Sequence, residues 1–310
     1  MDPEIAHLPH VQRALLAWHA EHGLHAPWRQ SGDPYGVLVA AVMAQQTQMS
    51  RVMPAYERFI AAFPTLEDLA RATTADVIRA WVGMGYNQRA LRLHRAARTI
   101  AAEGWPHDAA SLERIEGIGP FTAAIIASFS FGQPAARVDT NVRRVLGRLA
   151  GDEAIGPRAL QCLADRAIAA EHPACWNQAV MDYGARVCLP RPKCGECVVA
   201  RFCAWREMHA GPALKVADAP ASAPRKPPRA AAPERYEGSR RYFRGRAIDA
   251  LRALPPGERV AVSALTAMLA NSHAAPSPED VRALVDGLVR DGLAVVHDTD
   301  GGPAVSLPED

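Results

Sequence analysis

The sequence of 310 residues is short of lysine. Only Lys193, Lys215 and Lys226 occur, and the other basic residues are arginines. The first 192 residues therefore lack the amine that forms a Schiff base, which excludes covalent catalysis through lysine in that part of the chain. The formal net charge is only +2, so overall charge does not by itself predict a nucleic-acid partner. Arginine nevertheless suits phosphate, because its planar fork donates two parallel hydrogen bonds.

Long apolar runs are also missing. No segment has the length and hydrophobicity needed to cross a bilayer, and the opening residues MDPEIAHLPH lack the charged and then apolar pattern of a secretion signal. We therefore expect a cytoplasmic protein without a membrane partner. Thiols stay reduced in that compartment, so clustered cysteines indicate a metal site rather than disulfides.

Alternating strand patterns are absent from residues 1–210, where apolar residues recur at spacings of three and four. This part of the chain predicts one helix after another and an all-α domain. One long helical pattern covers residues 34–63. Thr65 with Asp68, and Thr74 further on, look like capped helix starts.

The C-terminal part of the chain has a different organisation. Residues 211–236 are rich in proline and alanine and predict an extended or disordered linker. Residues 237–310 predict a small α+β domain, in which three helical patterns precede an alternating stretch around a Gly-Gly turn. Ser277 caps the third helix, with Pro278 at its first position. Three helices and a hairpin are typical of a winged helix, and the alternative is a small packing module with no nucleic-acid role.

The cysteines are concentrated in one loop with the spacing C-x5-C-x2-C-x5-C. The four residues are Cys188, Cys194, Cys197 and Cys203. A zinc ribbon has two C-x2-C pairs well separated in sequence, whereas a single small loop can fold four thiolates around one compact cube. The spacing favours a [4Fe-4S] cluster over structural zinc and over free thiols. The other two cysteines, Cys162 and Cys175, lie in helical patterns and are expected in the core.

A glycine turn and an aspartate each precede a predicted helix. Gly117 and Gly119 in LERIEGIGPFTAAIIASFSFG allow a tight backbone, and the helix that follows offers unpaired N–H groups that suit a phosphate. Further along, Asp139 in ARVDTNVRRVLGRL is expected to cap the next helix. Capping alone explains an aspartate at this position. The functional alternative is a carboxylate held at a helix start beside a bound anion.

Several motifs in order resemble the helix-hairpin-helix DNA glycosylases that carry an iron–sulfur cluster. The best match is to the MutY adenine glycosylases, with endonuclease III and the mismatch thymine glycosylases as cousins. The similarity runs from about residue 10 to residue 206. Its motifs are PWR (27–29), DPY (33–35), QQTQ (45–48), GMGYNQRALRLH (83–94), GIGPFTA (117–123), VDTNVRRVL (138–146), MDYGARVC (181–188) and the cysteine loop. The first gap between cysteines is five residues where the family usually has six.

The resemblance implies an all-α fold of two helical subdomains, with a cleft that takes a base flipped out of double-stranded DNA. Asp139 matches the catalytic aspartate, which stabilises positive charge on the sugar as the glycosidic bond breaks. Asn141 matches a residue that hydrogen-bonds near it. The positions that match the base pocket or the DNA contacts are Trp28, Arg29, Gln45, Gln46, Tyr86, Gly117, Gly119 and Phe121. The resemblance also implies a monomer that works at the nucleoid.

An arginine stripe accompanies these motifs on one predicted helix. It consists of Arg89, Arg92, Arg95 and Arg98. The stripe predicts either contacts to the DNA backbone or a solvated helix face.

The sequence departs from the family at positions that matter for the chemistry. Ala41 stands where MutY and the mismatch thymine enzymes carry a glutamate that protonates the leaving base, and losing such an acid typically costs about 10²–10⁴-fold in rate. Phe121 occupies the place of the endonuclease III lysine and of a tyrosine in many MutY proteins. Asn87 stands where MutY often has a second tyrosine. The C-terminal part does not resemble the MutY domain that inspects 8-oxoguanine.

Three interpretations remain open. By family default, the protein is a monofunctional glycosylase, without lysine-dependent lyase activity, that removes adenine mispaired with 8-oxoguanine or guanine. In the second interpretation, the protein removes a base that is a better leaving group, such as an alkylated purine, uracil, thymine or an oxidised pyrimidine. In the third, the protein binds lesions without cutting. We favour an active glycosylase. From a different class, a transcription factor with a cluster sensor also fits the tail and the cysteine loop.

Overall fold

The computed structural model describes residues 4–209, 236–270 and 275–309. The predicted linker lies outside them except for its last residue, and its extended character stays a prediction. The described helices are α1 (Leu8–His22), α2 (Pro27–Gln30), α3 (Pro34–Ala44), α4 (Met49–Ala62), α5 (Leu66–Arg71), α6 (Thr74–Ala80), α7 (Gln88–Glu103), α8 (Ala109–Glu113), α9 (Pro120–Phe131), α10 (Thr140–Leu149), α11 (Pro157–Ala167), α12 (Pro173–Arg186), α13 (Ala204–His209), α14 (Arg240–Arg252), α15 (Val262–Leu269) and α16 (Pro278–Arg290). A single 3-10 turn spans Ala200–Phe202, and the strands are β1 (Val260–Ala261), β2 (Val295–Thr299) and β3 (Gly302–Ser306).

This architecture confirms the predicted fold class, a helical chain with a small α+β tail. Through the described part of residues 1–210, all regular elements are helices. A search of the described helices for a membrane-spanning segment finds none with sufficient length and hydrophobicity.

Short side-chain caps fix where several helices begin. Thr65 and Asp68 form the predicted capping box at α5, and Ser277 with Asp280 forms another at α16. The prediction for α6 was wrong by one residue, because Thr73 is the cap and accepts a hydrogen bond from the Asp76 amide at 3.1 Å. Thr73 has the extended backbone that a cap needs, whereas its neighbour is already helical.

The long helical pattern over residues 34–63 is interrupted, which the sequence did not predict. Helix α3 ends at Ala44, and α4 begins at Met49. Between them Gln46 adopts a left-handed conformation with φ 53°. Neither glycine nor proline occurs in this loop, so the residues of the loop do not explain why the helix is interrupted.

Among the described residues, the first of two compact units contains residues 4–41, 106–114 and 118–209. Its core is formed by the apolar faces of α1, α10, α11 and α12, with Leu15, Leu146, Leu163 and Val180 among the fully buried side chains. Three of the four loop cysteines pack against the edge of this core. The core therefore reaches directly to the cysteine loop.

The second unit contains the described residues 42–105, 115–117, 236–270 and 275–309. In it the described C-terminal residues share one apolar core with α6 and α7, since Ile78 and Leu91 are buried with Ile248, Leu265 and Leu284. Strand β3 pairs antiparallel with both β1 and β2, so the sheet order is β1-β3-β2. The three helices and the hairpin confirm the predicted elements of a winged helix, whereas the short strand β1 between the first two helices was not predicted.

The expectation that Cys162 and Cys175 belong to the core was wrong. Both side chains are exposed. Cys162 lies on the solvent side of α11, whose buried face is formed by Leu160, Leu163 and Ala164. Helical periodicity places a residue on a helix but does not by itself fix the face when cysteine fits either environment.

Candidate functional site

The residues predicted for the site fall into two sets, one in each compact unit. The first unit holds Asp139, Asn141, the cysteine loop and the segment around Trp28. The second holds Gln45, Gln46 and Tyr86.

Asp139 caps helix α10, as predicted, and is half-buried. One carboxylate oxygen accepts hydrogen bonds from the backbone amides of Asn141 at 2.8 Å and Val142 at 2.7 Å. The other oxygen accepts one from the Asn141 side-chain amide at 3.2 Å. Three donors thus fix the orientation of the carboxylate, while the side chain stays accessible from outside the core.

The stretch before Asp139 is anchored from two neighbouring helices. The side-chain amide of Asn177 on α12 donates to the Ala135 carbonyl and to the Ser128 hydroxyl, both at 2.9 Å. Gln161 on α11 donates to the Ala136 carbonyl at 3.0 Å. These side chains provide hydrogen bonds to backbone carbonyls that have no partner in a helix or a sheet. They thereby fix the backbone that leads to Asp139 at the start of α10.

Arg144 connects the aspartate to the cysteine loop. It donates to the Asn141 side-chain oxygen at 2.8 Å, and it also donates to the carbonyls of Gly184 and Cys188. A relay of hydrogen bonds therefore runs from the Asp139 carboxylate through Asn141 and Arg144 to the first cysteine of the loop. A movement of that loop would reach the carboxylate through two side chains.

Close packing of α12 against the start of α10 keeps this relay short. A Cβ atom on Gly184 would lie 2.7 Å from the Cβ of Asn141, nearer than real Cβ atoms come to each other. Only glycine fits at this point of the MDYGARVC motif. The same closeness brings the Gly184 carbonyl within reach of Arg144.

The cysteine loop wraps one small cavity in the first unit. Its lining includes all four predicted ligands, Cys188, Cys194, Cys197 and Cys203, together with Arg148, Trp205 and Arg206. Arg148 is buried; it lies 3.5 Å from the Cys188 sulfur and donates to the carbonyls of Leu189 and Pro190 at 2.7 and 3.1 Å. A guanidinium against the sulfur and four thiols around one cavity fit an anionic cluster with thiolate ligands.

Among the described residues, no group of three or more His, Cys, Asp or Glu side chains has the geometry of a metal-ion site. Burial raises the pKa of the Cys188 thiol and raises that of Cys203 to about 11. Without a bound cation, both therefore remain thiols at neutral pH.

The segment around the PWR motif is built on a buried ion pair. Arg29 donates to the two oxygens of Asp182 at 2.7 and 3.1 Å, and both side chains are 10% exposed. Asp182 also accepts from the Leu24 amide at 2.8 Å and lies 3.8 Å from the ring of His19. Burial lowers the pKa of His19, so the imidazole is neutral at pH 7. Trp28 precedes Arg29 in the sequence and is also buried. Contacts within the protein therefore fix the positions of both side chains.

Ala41, the position that the resemblance matches to a family glutamate, lies in α3 and is 9% exposed. The surrounding α3 residues from Val37 to Met43 are all buried. A carboxyl group at this position would be largely removed from water, an environment that favours its protonated form.

In the second unit, Arg89 organises the loop that carries Gln45 and Gln46. Its buried guanidinium donates to the carbonyls of Met43 and Met84, each at 2.9 Å. Further bonds go to the carbonyls of Val42, Gln45 and Gly85 and to the Thr47 hydroxyl. This guanidinium donates hydrogen bonds to the backbone carbonyls at the C-terminal end of α3, which have no partner within the helix. It therefore explains why the helix breaks after Ala44. The stripe prediction is therefore wrong for Arg89, whereas Arg92, Arg95 and Arg98 are exposed.

Two exposed side chains project from the loops that Arg89 supports. Gln46 has φ 53°, and Tyr86 has φ 44° with 61% of its surface exposed. Left-handed backbone is uncommon for residues with a side chain and marks positions that the surrounding structure over-determines.

Burial lowers the pKa of Arg89, yet a guanidinium remains charged at neutral pH because its ordinary pKa is so high.

Of the two glycines in the hairpin, only Gly117 lies at a position that requires glycine. Gly117 has φ 98°, and a Cβ there would lie 2.4 Å from the Arg92 carbonyl, so the position requires glycine. Gly119 caps α9 with ordinary backbone angles and open space around its Cα. The phosphate seat at this helix start stays a prediction. Phe121 follows in the first turn of α9 and is half-buried.

Sequence reasoning missed four residues that the structure places in supporting roles. These are Arg89, Arg144, Asp182 and Gly184. Arg144 was detectable, because it lies three residues after Asn141 and therefore on the same helix face. Asp182 and Gly184 lie inside a motif quoted for the resemblance, but no local signal shows their partners.

Comparisons with known proteins agree with these motifs. The family model described as "HhH-GPD superfamily base excision DNA repair protein" matches residues 39–167. The adenine DNA glycosylase of Mycobacterium tuberculosis (strain ATCC 25618 / H37Rv) is 37% identical over 271 residues, which cover 81% of this chain and 82% of that protein. The adenine DNA glycosylase of Homo sapiens is 36% identical over 225 residues, 66% of this chain and 41% of the human protein. The structure of a thermostable thymine-DNA glycosylase has a TM-score of 0.61 and 26% identity, over 65% of this chain and 97% of its own.

The mycobacterial relative is matched over most of both chains, and therefore beyond the residues that the family model covers. The fold, the glycine hairpin and the capped aspartate agree with the same assignment. The chain therefore belongs to the HhH-GPD superfamily of base excision DNA repair proteins and, within it, to the family of adenine DNA glycosylases.

Proposed function

We propose that the protein is an adenine DNA glycosylase of base excision repair, which hydrolyses the N-glycosidic bond of adenine mispaired with 8-oxoguanine or guanine. The names of its relatives support adenine as the base. The observation that carries the mechanism is the Asp139 carboxylate, fixed by three donors at the start of α10 and accessible from outside the core.

The reaction breaks the bond between C1′ of the sugar and N9 of adenine. The bonding electron pair leaves with the base, and positive charge develops on the sugar. Asp139 stabilises that charge, and its fixed orientation means that little reorganisation is needed as the bond breaks. Water then adds to C1′ and loses a proton, while the departing adenine gains one. Asn141 is a positioning residue, because it acts on the sugar only through Asp139.

Ala41 supplies no proton to the leaving adenine. In this proposal the proton comes from water or from another side chain, and the reaction is slower than with a dedicated acid. The chain also has no lysine among its first 192 residues, so we propose base removal without lysine-dependent cleavage of the DNA strand.

We assign a [4Fe-4S] cluster to Cys188, Cys194, Cys197 and Cys203. The four cysteine thiolates would hold the cluster, which would cross-link the loop that Arg144 and Arg148 contact. Metal analysis of the purified protein tests this assignment: we expect about four irons per chain. One zinc per chain would contradict the assignment.

The proposal includes a monomer that works in the cytoplasm at the nucleoid. Light scattering tests the first part, with an expected mass of 33.4 kDa. A dimer would contradict it. Fluorescence imaging of a tagged chain against stained DNA tests the second part.

A panel of duplexes tests the function. Duplexes with adenine opposite 8-oxoguanine, adenine opposite guanine, thymine or uracil opposite guanine, and alkylated purines are incubated with the protein. Abasic sites are then cleaved with alkali. We expect product from the two adenine mispairs. Product from another duplex alone would give the protein a different substrate, and tight binding without any product would make it a lesion-binding protein.

A further inference from the structure

A groove of about 670 Å³ lies within the second unit, between two parts of the chain that are far apart in sequence. One wall is formed by residues 45–47 and 84–92, and the other by residues 236–245 and 291–293 of the C-terminal part. The family model ends at residue 167, so the second wall lies outside it. The groove is therefore a feature to which the C-terminal part contributes directly.

Hydrogen bonds hold the two walls together. Arg252 on α14 donates to the Asn87 side chain at 2.7 Å and to the Ile78 carbonyl at 2.8 Å. Gln88 donates to the Asp291 carbonyl. Leu91 lies in the apolar core shared with α14 and α16. The groove is thus preformed, since neither wall has to move to create it.

The groove is strongly basic although the whole chain is nearly neutral. Five arginines line it, Arg51, Arg89, Arg92, Arg241 and Arg244, against the single carboxylate of Asp291. Arg244 pairs with that carboxylate, and Arg89 is buried. Arg92 and Arg241, one on each wall, are exposed. Two forks that face solvent from opposite walls suit the phosphates of a nucleic-acid backbone.

Aromatic rings accompany this charge. Tyr86 lies on the first wall and Tyr236 on the second, and each is 61% exposed. Large exposed aromatic side chains next to arginines are typical of surfaces on which bases of a DNA strand stack. An acidic peptide would satisfy the arginines but would give no reason for two exposed tyrosines.

The geometry points to this groove as a binding site for one strand of the DNA substrate, with Arg92 and Arg241 on phosphates and Tyr236 stacked on a base. The C-terminal part then completes the DNA-binding surface of the enzyme. This inference rests on the proposed function, because DNA is the substrate there, but it adds residues that the proposed chemistry does not use.

Binding of a fluorescein-labelled duplex with adenine opposite 8-oxoguanine, measured by anisotropy on the full chain at several salt concentrations, tests this site. We expect Arg241→Glu to weaken binding about tenfold or more and to lower the salt slope by about one. The matched control is Arg282→Glu, the same charge change on an exposed residue outside the groove. It should stay within about twofold of the wild type. Equal losses in the two variants, or wild-type binding by Arg241→Glu, would overturn the site and leave an acidic protein partner as the occupant to test.

Tyr236 separates stacking from charge. Tyr236→Ala should weaken binding about fivefold or more, whereas Tyr236→Phe keeps the ring and should bind like the wild type. Equal binding by the alanine variant would overturn the stacking role. Urea midpoints equal to that of the wild type show that these exposed substitutions leave the fold intact.

Excision by the wild-type protein is measured on the same duplex. If it removes no adenine while Arg241→Glu still loses DNA affinity, the proposed function fails and the groove assignment stands. If it removes adenine and Arg241→Glu binds normally, only the groove assignment fails.

Discussion

Asp139 serves both as a helix cap and as the proposed catalytic carboxylate. The two roles are compatible because capping uses lone pairs that point along the helix start, while the half-buried side chain remains accessible. The cap contributes about 1 kcal/mol to stability whether or not the carboxylate also takes part in catalysis. Stability measurements therefore do not test the catalytic role. Variants that change charge or proton donation separate the two roles.

A different residue, Ala41, tests whether a proton donor assists the departing base. We predict that Ala41→Glu raises the single-turnover rate of adenine release by about tenfold or more, because a positioned general acid typically contributes about 10²–10⁴-fold. Its 9% exposed position favours the protonated form that donates. Ala41→Gln is the control, with the same shape and no acidic proton. Equal rates for the two variants would show that the departing base takes no proton from this position.

Arg144 tests the relay between the aspartate and the cysteine loop. We predict that Arg144→Met lowers the single-turnover rate by about tenfold or more while duplex affinity changes little, since the side chain orients Asn141 and does not touch the substrate. The neighbouring Arg143 donates only to the Ile155 carbonyl in the described contacts, and Arg143→Met is the matched control. A loss of affinity with an unchanged rate would assign Arg144 to DNA binding instead.

Among the elements, the crossing of α10 and α12 depends on one glycine. We predict that Gly184→Ala destabilises the protein by about 1–3 kcal/mol, because its Cβ would overlap that of Asn141 and force the helices apart. The measurement is urea unfolding. Gly287→Ala is the control in the middle of α16, where the nearest atoms lie 3.5 Å or more away. It should be neutral or stabilising, and an equal loss there would mean that helix spacing is not the cause.

The loop between α3 and α4 depends on Arg89 rather than on its own residues. We predict that Arg89→Met lowers the free energy of unfolding by about 3 kcal/mol or more, because several buried carbonyls lose their donor. Arg95→Met removes an exposed pair with Glu116 and should cost at most about 1 kcal/mol. Urea unfolding compares the two variants. Similar stabilities would mean that water replaces the guanidinium at the loop.

At the scale of the whole molecule, local chemistry was predictable from the sequence and distant partners were not. The helix caps at Thr65, Ser277 and Asp139 follow from neighbouring residues, and the structure confirms them. The break after Ala44 comes from Arg89, more than forty residues further along the chain, and no pattern within the loop indicates it. The groove requires two walls that only the folded chain brings together.

Catalysis by the whole molecule is tested most directly by single-turnover release of adenine from a duplex with adenine opposite 8-oxoguanine, by the wild type and by Asp139→Asn. Asparagine caps helices as well as aspartate does, so this change removes the charge and keeps the helix start. We predict release by the wild type and a rate lower by about 100-fold or more in the variant, with duplex affinity retained. Equal rates for the two proteins would contradict the role of this carboxylate.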